Sequence, residues 1–233
     1  MNQKSLIRAL CALFALLMLL GCTQPAEAAA FGLFGSVGDA SPAGETAQQE
    51  TAAEAPEAEE AGQRIEIKAL DGSICIPDGY YAFSEDLPYT EEMLRDINVA
   101  PANFEAAMPL LQGQTIIVPA GEPFSDSLTI YLKVKDKKYD DITLAELSDA
   151  DFKLFAGTVV LGFGVSDYET VEGNGLRFFV FNADQGMGNV LRFATVLNGH
   201  MIYLYVNTGK ENPDEELVEM MTDMALSIKH DLK

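Results

Sequence analysis

Two histidines set the first limit on any chemistry this chain performs. His200 follows Asn198-Gly199 in a predicted hairpin turn, and His230 falls in the last turn of a predicted helix, where a cation suits the helix dipole. A nucleophilic thiol would need a histidine beside it. Cys75, in the apolar stretch Ser73-Ile74-Cys75-Ile76, is far from both in sequence and reads as a buried, inert group. Carboxylates are more plentiful. Asp140 with Asp141, and Asp149 with Asp151, could bind calcium or serve a hydrolase, with Tyr80, Tyr81 and Phe83 lining a sugar or peptide groove. The same residues have plainer readings. Ser148-Asp149-Ala150-Asp151 is a capping box, and the spaced oxygen ligands and final glutamate of an EF-hand are missing. There is no Gly-x-Ser-x-Gly elbow, His-Glu-x-x-His helix, Cys-x-x-Cys pair or P-loop, and Gly162-Phe163-Gly164 and Gly186-Met187-Gly188 read as turn and packing glycines. The expectation is a non-enzyme with no catalytic, cofactor-binding or metal-binding residue and no cofactor.

The residue whose spacing does announce chemistry is Cys22. Lys4 and Arg8 precede an uncharged run of 12 residues, Ala9 to Leu20, the pattern of an export signal. At about 1.5 Å per helical residue this run is too short to cross a hydrocarbon core about 30 Å thick. Leu19-Leu20-Gly21-Cys22 then resembles the bacterial lipobox, in which small residues admit a dedicated peptidase and the thiol accepts diacylglycerol. The resemblance implies a signal peptide of residues 1–21, lipidation of Cys22 as the mature N-terminus, and a chain held at the cell membrane on its extracytoplasmic side. The alternative is ordinary cleavage after Ala28 or Ala30, within Ala26-Glu27-Ala28-Ala29-Ala30. With Cys11 discarded and Cys22 acylated, Cys75 has no partner for an intramolecular disulfide. Thr23 is not the aspartate that marks inner-membrane retention, which matters only in a host with two membranes.

Residues 22–63 form the anchor and a linker rich in Ala, Glu, Gln, Gly, Ser, Thr and Pro, with eight acidic residues and no basic one. Such a composition reads as a disordered tether, with a root-mean-square reach of roughly 35 Å for its 41 residues after the cysteine. Phe31-Gly32-Leu33-Phe34-Gly35 is an apolar island in it, either a contact for membrane or partner or a remnant without function. The remaining residues, 64–233, read as a single domain large enough to hold a core. Its 13 basic residues stand against 28 acidic ones, a formal charge of −15. Such a surface repels nucleic acid and anionic headgroups and attracts cationic peptides, basic protein patches or divalent ions; simple solubility outside the cell explains it equally.

Strands are expected at Arg64 to Ala69 and Ser73 to Ile76, joined by Asp71-Gly72, then at Tyr80 to Ser84, Thr115 to Val118 and Ser127 to Val134, with a charged loop at Lys135 to Lys138. A meander of Glu169 to Glu172, Leu176 to Asn182, Val190 to Leu197 and Met201 to Val206 is signalled by Gly173-Asn174-Gly175 and Asn198-Gly199. Helices are expected after Thr90, from Asn103 to Leu111, from Asp149 toward Leu161, and from an Asn212 cap through Ile228, where Met220, Met221 and Met224 recur at core spacing. The fold class is therefore α+β, an antiparallel sheet of about six to eight strands flanked by helices, with a C-terminal amphipathic helix.

An opening hairpin with Ile76-Pro77-x-Gly79-Tyr80, an antiparallel sheet and a final amphipathic helix resemble the PsbP-like α/β/α sandwich over Ile65 to Lys229. That resemblance implies protein binding without catalysis, and no site residue of the family can be placed on this sequence. Two functions follow as expectations. The first is a membrane-anchored binding or accessory module for a protein or peptide partner, with no nucleic acid partner. The alternative is an envelope hydrolase using Asp or Glu in a cleft of the domain.

Overall fold

The computed structural model describes residues 62–232 apart from residues 112, 126, 185, 187, 210 and 211. The expected signal peptide, Cys22, the linker and its Phe31–Gly35 island lie outside the described residues, as does Met187 of the second glycine pair.

The first hairpin forms as the turn residues suggest. Strands β1 (Gln63–Ile67) and β2 (Gly72–Ile76) pair antiparallel around a short 3-10 turn, with Asp71 in the left-handed region. Strand β3 (Tyr80–Phe83) follows, then helix α1 (Glu91–Asp96), whose first turn is closed by Thr90 Oγ1 accepting the Met93 N–H at 3.2 Å. Helix α2 (Pro101–Ala107) is shorter than its periodicity suggests. Pro109 cannot donate to the preceding turn, and the chain tightens into a 3-10 turn over Met108–Leu111.

Strands β4 (Gln114–Pro119) and β5 (Ile130–Lys137) come next. The expected loop at Lys135 to Lys138 is instead mostly strand. An irregularity between Val134 and Lys137 keeps β5 paired as far as His200, with the Lys135 ammonium over the Tyr203 ring and Lys137 paired with Asp141. Helix α3 (Asp149–Gly162) precedes the meander β6 (Glu169–Gly173), β7 (Leu176–Asp184), β8 (Asn189–Leu197) and β9 (His200–Gly209). The β8–β9 turn is Asn198-Gly199, both at positive φ. A Cβ on Gly199 would overlap the Asp140 carbonyl oxygen, so the loop after β5 is moulded on this turn, and Lys138 and Tyr139 both donate to the Gly199 carbonyl.

Helix α4 (Glu215–Leu226) starts later than the expected Asn212 cap. Asp214 is the cap: its carboxylate accepts the Leu217 N–H at 2.8 Å. The helix also ends earlier, because the Ser227 hydroxyl donates to Met224 O at 2.7 Å and accepts the Cys75 N–H at 2.8 Å. His230 therefore does not sit in a helical turn. It belongs to strand β10 (Lys229–His230), which pairs with Ser73 and Gly72 of β2. The Arg64 guanidinium reaches Ser227 O at 3.1 Å and Ser73 Oγ at 2.9 Å, fastening the end of α4 to the small sheet.

The seven-stranded sheet has the order β3-β4-β5-β9-β8-β7-β6, all neighbours antiparallel, and β1, β2 and β10 form a second sheet. Alternation sends Phe179, Phe181, Ala194, Tyr203, Tyr205 and Tyr131 to one side, under α1, α2 and α3. Phe178, Val180, Phe193, Leu204, Leu132 and Ile117 go to the other, against α4 and the small sheet. Met221 and Met224 are fully buried there, as their spacing predicts. The α+β class and the antiparallel sheet flanked by helices are thus as expected. Among the described residues no helix is long and apolar enough to cross a membrane.

Candidate functional site

The residues singled out for chemistry are taken up by local structure. Ser148 Oγ accepts the Asp151 N–H at 3.2 Å and donates to Asp151 Oδ2 at 2.6 Å, so Asp151 closes the first turn of α3. The Asp149 carboxylate stands 2.8 Å from Arg177 Nη2, and that of Asp141 pairs with Lys137. Asp140 holds a left-handed turn at φ 49°. Among the described residues no three His, Cys, Asp or Glu side chains are gathered so as to hold a metal ion. Tyr80 does not share a groove with Tyr81 and Phe83. Strand alternation puts it against the α4 layer, while the other two face the α1–α3 layer. The Tyr81 hydroxyl donates to Asp96 at 2.9 Å, and this bond raises the phenol above its ordinary pKa. Cys75 is buried and forms no disulfide among the described residues. His200 Nδ1 lies 3.1 Å from Lys135 O, which ties β9 to β5.

A cleft of about 320 Å³ opens between the 3-10 turn after β1 and the start of β4, lined by Ile67, Lys68, Ser84, Asp86, Gln114 and Thr115. Its exposed charges answer one another, Lys68 Nζ standing 3.2 Å from Asp86 Oδ1. Surface pairs of this kind contribute little stability; Glu85 also lines the cleft, which leaves it one carboxylate in excess.

A different group of residues stands out on the α3 side of the large sheet. Cross-strand register aligns Phe181, Arg192, Tyr205 and Tyr131 in one row across β7, β8, β9 and β5. Arg192 is only 6% exposed. Its guanidinium carbon lies 4.9 Å from the Phe163 ring centre, 5.7 Å from that of Tyr205 and 5.9 Å from that of Phe181. Nη1 is buried and has no hydrogen-bond partner among the described residues. Tyr205 stacks on Tyr131 at 5.1 Å and donates to Gln114 Oε1 at 3.3 Å. Burial pushes the Tyr205 and Tyr131 phenols up and the Arg192 guanidinium down, and the groups that act on Arg192 by charge are Tyr205 and Tyr203 rather than a carboxylate.

Arg177, on β7 and the same face, has carboxylates beside it, although its own buried Nε makes no well-formed hydrogen bond. Its guanidinium lies 3.9 Å from the Phe152 ring centre, Nε stands 2.6 Å from Glu172 Oε1, and Nη2 takes Asp149. No sequence motif marks Arg192. The one sign is a charge at an inward position of the apolar run Val190-Leu191-Arg192-Phe193-Ala194.

The large sheet has two edge strands, β3 and β6. Among the described residues β6 pairs only with β7; its residues are mostly exposed, and it carries Glu169 and Glu172.

No family model and no curated protein matches this chain. Among solved structures, it is similar to a protein from Bacteroides thetaiotaomicron, at 7% identity and a TM-score of 0.39, over 74% of this chain. The chain spans 49% of that protein's length. It is also similar to cyanobacterial PsbP (CyanoP) from Synechocystis sp. PCC 6803, at 11% identity and a TM-score of 0.40, over 77% of this chain and 98% of that one.

Proposed function

We propose that the protein is a lipoprotein, anchored through Cys22 on the extracytoplasmic side of the cell membrane, whose domain is a non-catalytic binding module for a protein partner. The observation that carries the anchoring is Leu19-Leu20-Gly21-Cys22 at the end of a 12-residue apolar run. The binding role draws on β6, an edge strand whose outer side pairs with no other strand among the described residues, the place where an added strand can join a sheet. Because the edge bears Glu169 and Glu172 and the domain carries a charge of −15, the strand it favours is an extended, basic segment.

Two measurements test this. Intact mass of membrane-extracted protein is expected to give a chain beginning at Cys22 with a diacylglyceryl adduct, and the adduct is absent from the Cys22→Ser variant. A mature chain beginning near Ala29 or Phe31 without lipid would refute the anchoring. Crosslinking on intact cells is expected to recover a partner through the β6 region. Glu169→Lys with Thr170→Lys puts two ammonium groups on the edge and should abolish that recovery while the anchor stays intact. Recovery unchanged by the double substitution would remove β6 as the docking edge.

A further inference from the structure

An ionised group out of water needs a counter-charge or a full set of hydrogen bonds, and stacking on rings offsets only part of the cost. Arg177 has the counter-charge, from two carboxylates, and a ring beside it, although its Nε makes no well-formed hydrogen bond. Arg192 sits one strand away on the same face, is more deeply buried, and has the rings without the carboxylates. Among the described residues its Nη1 hydrogens meet no acceptor. The acceptor is supplied neither by the neighbouring strands, which place Tyr205 and Phe181 beside it, nor by α3, which ends on Phe163.

We propose that Arg192 is the base of a binding site for a small carboxylate, which supplies the missing acceptor to the guanidinium. Three features select this class. The guanidinium presents its donors as a planar fork, which a planar carboxylate matches with two parallel hydrogen bonds. Aromatic rings stand close around the cation, so a ligand that carries apolar carbon next to its carboxylate gains from the same walls. A domain with a charge of −15 opposes the approach of multiply charged anions at long range, so a singly charged ligand is admitted more readily than a phosphate dianion. Phe163 is the least buried of the three rings, at the C-terminal cap of α3 and followed by Gly164 in a left-handed turn, so it is the ring whose displacement would open a path to the guanidinium. The proposal goes beyond the docking of a partner strand at β6, uses a different face of the sheet, and stands whether or not that docking occurs.

The test uses the full chain in detergent with ¹⁵N-labelled arginine, following the Nε–Hε signals while acetate or benzoate is added to about 20 mM. That limit is an order of magnitude above the roughly millimolar dissociation constant within reach of so small a probe. Sodium chloride at equal ionic strength and inorganic phosphate are run in parallel, and Arg192→Lys identifies the signal. The expected result is a saturable shift of the Arg192 signal with acetate and benzoate, tighter with benzoate, while the Arg177 signal stays still. Binding of benzoate by the Arg192→Lys variant, read by calorimetry, should fall at least tenfold, since an ammonium cannot form the fork. No shift, an equal shift with chloride, a shift with phosphate alone, or undiminished binding by the lysine variant would each overturn the proposal. If the lysine variant does not fold, the Arg192 signal is assigned in the wild-type chain through its backbone correlations, and the wild-type titration decides the matter.

Discussion

His230 shows how a residue's setting governs its response to acid. Its Nδ1 is buried without a partner in β10, and burial holds the imidazole below its ordinary value of 6.5, with Asp231 acting more weakly the other way. The unfolded chain therefore takes up the proton first as the pH falls. Stability is full above the ordinary value, is lost as the pH drops through it, and stops changing below the lowered folded value. Denaturant midpoints measured at about pH 7.5 and about pH 5.5 should fall for the native chain and fall less for His230→Gln. Parallel losses in the two proteins would show that His230 is not the group responsible. From the sequence alone this histidine reads as a favourable charge at a helix end, because the pattern of apolar residues continues to Ile228. The hydroxyl that ends the helix, on Ser227, gains its force from Cys75, more than a hundred residues away. Ser148 and Asp151 were legible for the opposite reason, as their partners lie within one turn. Arg192 was not, because its burial is made by β7, β9 and the end of α3 together.

The elements divide along the same line. Caps, Asn-Gly turns and the alternation of the meander are local signals, and the strands of the large sheet follow them except β5, which lies three residues later than its apolar alternation suggests. Strand β10 carries no such signal: it is two residues long and exists because β2 offers it a place. That place depends on Gly72, where a Cβ would overlap the Lys229 carbonyl oxygen and crowd the His230 backbone. Gly72→Ala should push β10 off β2 and destabilise the protein by about 2–3 kcal/mol, lowering the thermal midpoint by roughly 6–10 °C. Gly157 supplies the contrast, lying in α3 with open space where its Cβ would be. Gly157→Ala should stabilise by about 0.5–1 kcal/mol, through helix propensity alone. Calorimetry on both variants checks the pair, and an unchanged midpoint for Gly72→Ala would mean that β10 contributes nothing to the fold.

At the scale of the whole molecule the dominant fact is charge. The domain carries 28 acidic residues against 13 basic ones, and compacting them into one body brings like charges together. The ion pairs Lys68–Asp86 and Lys137–Asp141 are exposed, so salt removes little by weakening them. Arg177 is better protected, with its side chain 12% exposed between Glu172 and Asp149. Screening therefore acts mainly on the repulsion. As ionic strength rises from about 0.01 M to about 0.15 M, the Debye length shrinks from roughly 30 Å to roughly 8 Å, which is shorter than the distance between opposite faces of a domain this size. The thermal midpoint of the full chain should rise by a few degrees over that range, with sodium chloride and potassium chloride giving equal effects. A midpoint that falls with salt would mean that attractive pairs outweigh the net charge. The same screening should weaken capture of a basic partner at β6, so stability and binding are expected to move in opposite directions as salt is added. A protein whose partner binding strengthened with salt would be holding that partner by apolar contact, and the acidic edge would not be what selects it.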